Sequence, residues 1–170
     1  WERPEGDFCP ICTLPIPLPM DDHSAFPLCC VKRLCRGCEM AAIRRGMFDC
    51  PFCRSPRSNG DPESHLALVQ KRVDAKDPEA IAFLADKHYF GLLGLEKDVP
   101  RAIELWTEAA ERGLTDAHYS LGKIYCEGGG VSPDQVKAIH HYEVAAMQGH
   151  VEARCNLGGV EHMNGNYGRA

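Results

Sequence analysis

Residues 117–153 read AHYSLGKIYCEGGGVSPDQVKAIHHYEVAAMQGHVEA, and this stretch decides how the larger part of the 170-residue chain folds. Immediately upstream, residues 80–116 read AIAFLADKHYFGLLGLEKDVPRAIELWTEAAERGLTD, and the two segments align. Ala80, Leu84 and Gly91 return 37 positions later as Ala117, Leu121 and Gly128. The pairs Arg101-Ala102 and Ala109-Ala110, with Gly113, return 36 positions later as Lys137-Ala138, Ala145-Ala146 and Gly149. A third copy opens with Ala153, Leu157 and Gly158, and Arg169-Ala170 stand where the basic-Ala pair is due again. A period of this length indicates stacked helical hairpins, each burying its apolar face against the next.

The local signals agree with that register. Asp77-Pro78 supplies an N-cap and a first-turn proline, and Ser132-Pro133-Asp134-Gln135 reads as a capping box with proline at N1. Asp98 and Asp116 are candidate caps for the other helix starts, while Gly113 and Gly149 stand where a left-handed residue ends a helix. The alanine pairs permit close helix approach. Leu84, Leu105, Trp106, Leu121, Tyr125 and Tyr142 are the expected core. His140-His141 reads as a plain helix face with no matching ligand nearby.

These anchors resemble the Sel1-like repeat, a relative of the tetratricopeptide fold. The resemblance implies an all-α helical-hairpin repeat solenoid over 64–170, with copies at about 80–116 and 117–152 and a shortened one at 153–170. It also implies a concave face that binds peptides or partner proteins.

The first third of the chain has a different chemistry. Eight of the ten cysteines lie between Cys9 and Cys53: Cys9 and Cys12, the adjacent Cys29 and Cys30, Cys35 and Cys38, and Cys50 and Cys53. Three C-x2-C turns offer paired thiolates at the bite that tetrahedral zinc requires, and eight ligands fill two closed sites. A redox reading of Cys9-Pro10-Ile11-Cys12 would need a strand-helix-strand setting, which nothing here resembles. No secretory signal is visible, so the thiols imply a reducing compartment, cytoplasmic or nuclear, rather than a disulfide scaffold. The chain opens on Trp1 without an initiator Met and reads as an excerpt of something longer. Cys126 and Cys155 stand apart and are expected to be packing thiols.

Composition excludes other roles. No apolar run approaches the roughly 20 residues needed to cross a bilayer, so no membrane partner is expected. The net charge of −5 gives no general case for nucleic-acid binding. Between Cys9 and Arg57, seven basic residues face four acidic ones. Two zinc-tetrathiolate centres, each of charge about −2, would leave that region near balance. Two structural Zn2+ would also stabilise a unit too small for much core, by roughly 10–16 kcal/mol per site.

The cysteine spacing resembles the RING family in an all-cysteine variant. The resemblance implies a small zinc-stabilised cross-brace domain over 7–57, followed by a linker at 58–63. In that cross-brace one zinc takes Cys9, Cys12, Cys35 and Cys38, and the other takes Cys29, Cys30, Cys50 and Cys53. Lys32 stands where the family usually has histidine, and His23 is an alternative ligand to one of Cys29 and Cys30. With every zinc position closed, the chain is assigned no catalytic residue of its own. The family instead orients a charged ubiquitin-conjugating enzyme, and its contact positions correspond here to Ile11, Pro51 and Arg54. Met47-Phe48 replaces the family's frequent tryptophan. The expected function is that of a ubiquitin-protein ligase whose repeats bind substrate or complex partners. The alternative is a non-catalytic zinc-binding scaffold for complex assembly.

Overall fold

A computed structural model describes residues 8–17, 20–25, 27, 29–30, 32–55 and 62–165. Among these, the cysteine-rich part holds a one-turn helix α1 (Met20–His23) and a two-stranded antiparallel pair, β1 (Ser24–Ala25) with β2 (Leu34–Cys35). Helix α2 (Arg36–Arg44) follows β2 directly. Among the described residues, Cys9, Ile16 and Leu34 form a small buried apolar cluster in this part, with Ala25 and Phe52 packed around them. So small a core leaves most of the stability to be supplied by something else.

The rest is helical. Helix α3 (Pro62–Asp74) precedes α4 (Pro78–Phe90), α5 (Val99–Glu111), α6 (Thr115–Glu127), α7 (Gln135–Met147) and α8 (Val151–Met163). Each packs on the next, and α6 also touches α8 across the repeat boundary. One core runs through α3–α6 around Ile81, Leu84, Leu105, Trp106 and Leu121. A second joins α6–α8 around Ala138, Tyr142, Ala145, Ala153 and Val160.

The caps repeat with the sequence. Asp98 Oδ1 accepts from the Arg101 amide at 2.9 Å, and Asp134 Oδ1 accepts from the Lys137 amide at 3.1 Å. The amides of these same two residues donate back to the His88 and Tyr125 carbonyls, each at 2.8 Å, and so fix the loop before each second helix. Two expected caps are corrected here. Helix α7 is capped by Asp134, and Pro133 lies before the cap rather than at N1, because Asp134 is the residue with extended backbone and a bonded side chain. Asp116 lies inside α6, whose cap position is held by Leu114 without a side-chain bond.

The linker expected at 58–63 falls mostly outside the described residues, and its last two positions already form the first turn of α3. That helix is itself in repeat register. At its end the Lys76 amide donates to Val73 and the Asp77 amide to Arg72. Gly113 and Leu114 make the same bonds to Ala110 and Ala109, as do Gly149 and His150 to Ala146 and Ala145. Helix α3 therefore stands where the second helix of a preceding hairpin would stand, with Val69 buried in the place of Trp106 and Tyr142.

Candidate metal centre

Two turns of the same construction present the C-x2-C pairs at either end of the cysteine-rich part. In the first, the Thr13 amide donates to the Cys9 carbonyl at 2.8 Å and the Cys9 amide to the Leu14 carbonyl at 2.9 Å. In the second, the Arg54 amide donates to Cys50 at 3.0 Å and the Cys50 amide to Ser55 at 2.9 Å. Cys35 and Cys38 are presented differently, by the start of α2: Cys35 is its N-cap, and its Sγ accepts from the Cys38 amide at 3.4 Å.

The eight thiols gather as two groups of four. Cys9, Cys12, Cys35 and Cys38 form one group, and Cys29, Cys30, Cys50 and Cys53 the other, with all Sγ atoms of a group within 4.8 Å of one another. No disulfide joins any of the described cysteines. The Cys12–Cys35 and Cys30–Cys50 sulfur separations are 3.8 and 3.7 Å. A tetrahedron of sulfurs about 2.3 Å from a central zinc has edges of about 3.8 Å, so the donor sets fit that ion in both type and spacing. A disulfide would need sulfurs at about 2.05 Å.

The electrostatics follow from crowding four thiols. Burial acts to raise Cys9, Cys29, Cys30, Cys35, Cys38 and Cys53. At Cys9 that rise is outweighed by amide donors of Cys12, Cys35 and Ile11, which bring it down to about 6. At Cys53 the hydroxyl and amide of Ser55 outweigh burial in the same way, again giving about 6. Cys29 and Cys38 are pushed well above the ordinary thiol range, and Cys30 up to about 12, by burial and then by neighbouring thiolates. Each group thus holds one thiolate readily and resists the next, which is the setting in which a dication would displace the remaining protons.

The other expected positions are also located. His23 is exposed at the end of α1 and belongs to neither group, whereas Cys29 and Cys30 both reach the second. Lys32 is exposed, its ammonium 5.9 Å above the Phe52 ring. Ile11 is 46% exposed between Cys9 and Cys12, Arg54 is exposed beside Cys53, and Pro51 is half-buried. Met47 and Phe48, which replace the tryptophan, are 42% and 67% exposed. In the repeats, Trp106 and Tyr142 are buried as expected of core residues. Cys126 packs against the second helical core. Cys155, expected to pack, is exposed.

Sequence reasoning missed two features of the helical part. Trp106 donates its indole N–H to Asp86 Oδ1 at 3.1 Å, and burial raises that carboxyl to about 6 against the effect of the bond. His141 finds a partner in His118 across the α6–α7 contact, with Nδ1 atoms 3.1 Å apart. The 23-residue separation of the two histidines hides this pair from any local pattern.

Comparison with known proteins locates the repeats independently. The Sel1 repeat family model matches residues 78–114 and 115–150. Chitin synthase regulatory factor 3 of Schizosaccharomyces pombe is 33% identical over 92 residues, which cover 54% of this chain and 10% of that protein. Rat protein sel-1 homolog 2 is 35% identical over 103 residues, covering 58% of this chain and 15% of the relative. This chain therefore spans only a small part of these curated relatives. Among solved structures, a Sel1 repeat protein from Oxalobacter formigenes superposes with a TM-score of 0.56 at 29% identity, covering 60% of this chain and 42% of that one. A protective antigen from uropathogenic Escherichia coli with the same repeat fold gives 0.55 at 25% identity, over 71% of this chain and 24% of its own.

Proposed function

We propose that this chain, which carries two Sel1 repeats in an all-helical solenoid, is a protein–protein interaction scaffold joined to a zinc-stabilised, RING-like module. The repeat match over residues 78–150 carries the proposal, because stacked hairpins of this kind present extended surfaces to partner proteins. Zinc would be held by the two four-cysteine groups and would supply folding free energy rather than chemistry. With all four positions of each site taken by sulfur, no place remains for a reactive water. The module then acts by holding a surface in shape.

Binding by the intact, zinc-loaded chain tests this reading. Peptide selection on immobilised protein should return a ligand that binds saturably in calorimetry. Substitutions on the repeat surface should weaken it while leaving metal content unchanged. Failure to find any saturable ligand, or binding insensitive to every repeat substitution, counts against the scaffold.

A second reading, ubiquitin transfer, is favoured by the exposure of Ile11 and Arg54 beside the two terminal C-x2-C turns. Those are the positions at which RING ligases touch the conjugating enzyme and ubiquitin. In a discharge assay with a panel of charged conjugating enzymes, the wild type should accelerate release. Ile11→Ala should abolish the effect without loss of zinc. Silence across the panel leaves only the scaffold.

A further inference from the structure

The α6–α7 contact brings two imidazoles together, their planes tilted by 39°, in a way that a plain helix surface does not require. His118 of α6 and His141 of α7 bring their Nδ1 atoms to 3.1 Å, with ring centroids 5.3 Å apart. Two nitrogens bound to one ion at about 2.0–2.1 Å, in tetrahedral or right-angle geometry, are about 2.8–3.4 Å from each other. The observed separation lies inside that range.

The surroundings also suit a ligand pair. His118 hydrogen-bonds the Ala110 carbonyl. A backbone partner of this kind is the second contact that commonly orients a metal-binding histidine. Tyr125 stacks on His141 with planes 9° apart and centroids at 5.9 Å, which fixes the ring's orientation. Lys137 is the nearby cation on α7, but its ammonium is 3.5 Å from Asp134 and lies over the Tyr125 ring. Its charge is therefore partly offset. His140 is exposed, its centroid 5.4 Å from that of His141.

We propose that His118 and His141 form a two-imidazole binding site for a divalent transition-metal ion of the zinc and nickel class, separate from the cysteine groups. Water completes the coordination, and the bound ion ties α6 to α7 within the second repeat. Imidazole nitrogen suits these ions. A ligand that binds only the folded hairpin stabilises it by mass action.

The test uses the whole chain, first equilibrated at low free zinc and then dialysed against sub-millimolar zinc, with metal counted at both stages. The wild type should gain one zinc per chain between the stages. His141→Ala and His118→Gln should gain none, and His140→Ala should gain as the wild type does. Counting the gain keeps the result readable even if the cysteine groups hold no metal. In the unmutated protein, zinc should shift the ring nitrogen resonances of His118 and His141 together, which requires no variant to fold. Uptake equal in wild type and both variants, or unmoved ring resonances, overturns the proposal and leaves the pair a hydrogen bond.

Discussion

Thr13 and Arg54 occupy one position in two copies of a single turn: each follows the second cysteine of a C-x2-C pair, with φ of 57° and 59°. Each amide reaches back to the carbonyl of the pair's first cysteine. A side chain at positive φ costs roughly 1–2 kcal/mol, which glycine avoids. Arg54 therefore has a backbone reason to be sensitive to substitution, separate from any contact with a partner. Arg54→Gly should be about 1 kcal/mol more stable than Arg54→Ala in denaturant unfolding of the zinc-loaded protein. If alanine is the more stable of the two, the turn does not hold this conformation in solution.

Chelation should separate the two halves of the chain. Among the described residues, the cysteine-rich part has a buried apolar cluster of three, whereas the helices share continuous cores. Removing zinc should unfold residues 9–53 and leave most of the helical circular dichroism. A single cooperative loss of both signals would mean that the halves are energetically one unit.

Gly122 lies inside α6, where a Cβ would come within 2.6 Å of the Tyr142 ring. Replacing a mid-helix glycine by alanine ordinarily gains about 1 kcal/mol. Tyr142 is 2% exposed and has little room to retreat, and overpacking a filled core costs about 1–3 kcal/mol. Gly122→Ala should therefore lower the thermal midpoint. A rise would show that the ring can move.

The repeat caps should contribute similarly to one another. Asp98→Ala and Asp134→Ala each remove the side-chain acceptor at a helix start and should each cost about 1 kcal/mol. The costs should add in the double variant, since different helices are involved. Urea unfolding at neutral pH measures both.

Two half-buried groups pull stability in opposite directions with pH. His141 is lowered from 6.5 to about 4, first by burial and then by His118, His140 and Lys137. The unfolded chain takes up that proton first, so this group's contribution is lost as pH falls from about 6.5 toward 4. Asp86 is raised from 3.8 to about 6 by burial, so its contribution is full below 3.8 and is lost as pH rises through about 6. Relative to wild type, His141→Gln should gain stability on acidification across this window. Asp86→Asn should gain it toward neutrality. Unfolding midpoints in urea from pH 4 to 7 read both, and parallel curves for all three proteins would refute the assignments.

The sequence made the hairpin register readable because Gly113 and Gly149 are spaced as the backbone requires, and both have positive φ in the structure. The same logic hid the repeat register of α3, though helix was expected from residue 64 onward. Its equivalent position is Lys76, held at a φ of 61° without being glycine, and Val69 fills the place of a buried aromatic ring. Backbone bonds, not side-chain identity, keep that helix in register. The C-x2-C pairs were legible because they are short-range, whereas how the pairs combine into two groups was implied only by the RING resemblance. The His118–His141 pair was not legible, because it depends on how two helices face each other. The Ser132 cap failed for a local reason: Asp134 competes for the same helix start and has the geometry to win.

The register of α3 bears on how this protein can be cut. The matched repeats begin at residue 78, yet Val69 of α3 is fully buried in the same core as Ile81 and Leu84. A fragment trimmed to the recognisable repeats would lay that apolar surface bare and should precipitate or self-associate. One starting at Pro62 keeps its own lid and should stay monodisperse. The practical boundary for expressing the helical half lies a full helix upstream of where the repeat is first recognised.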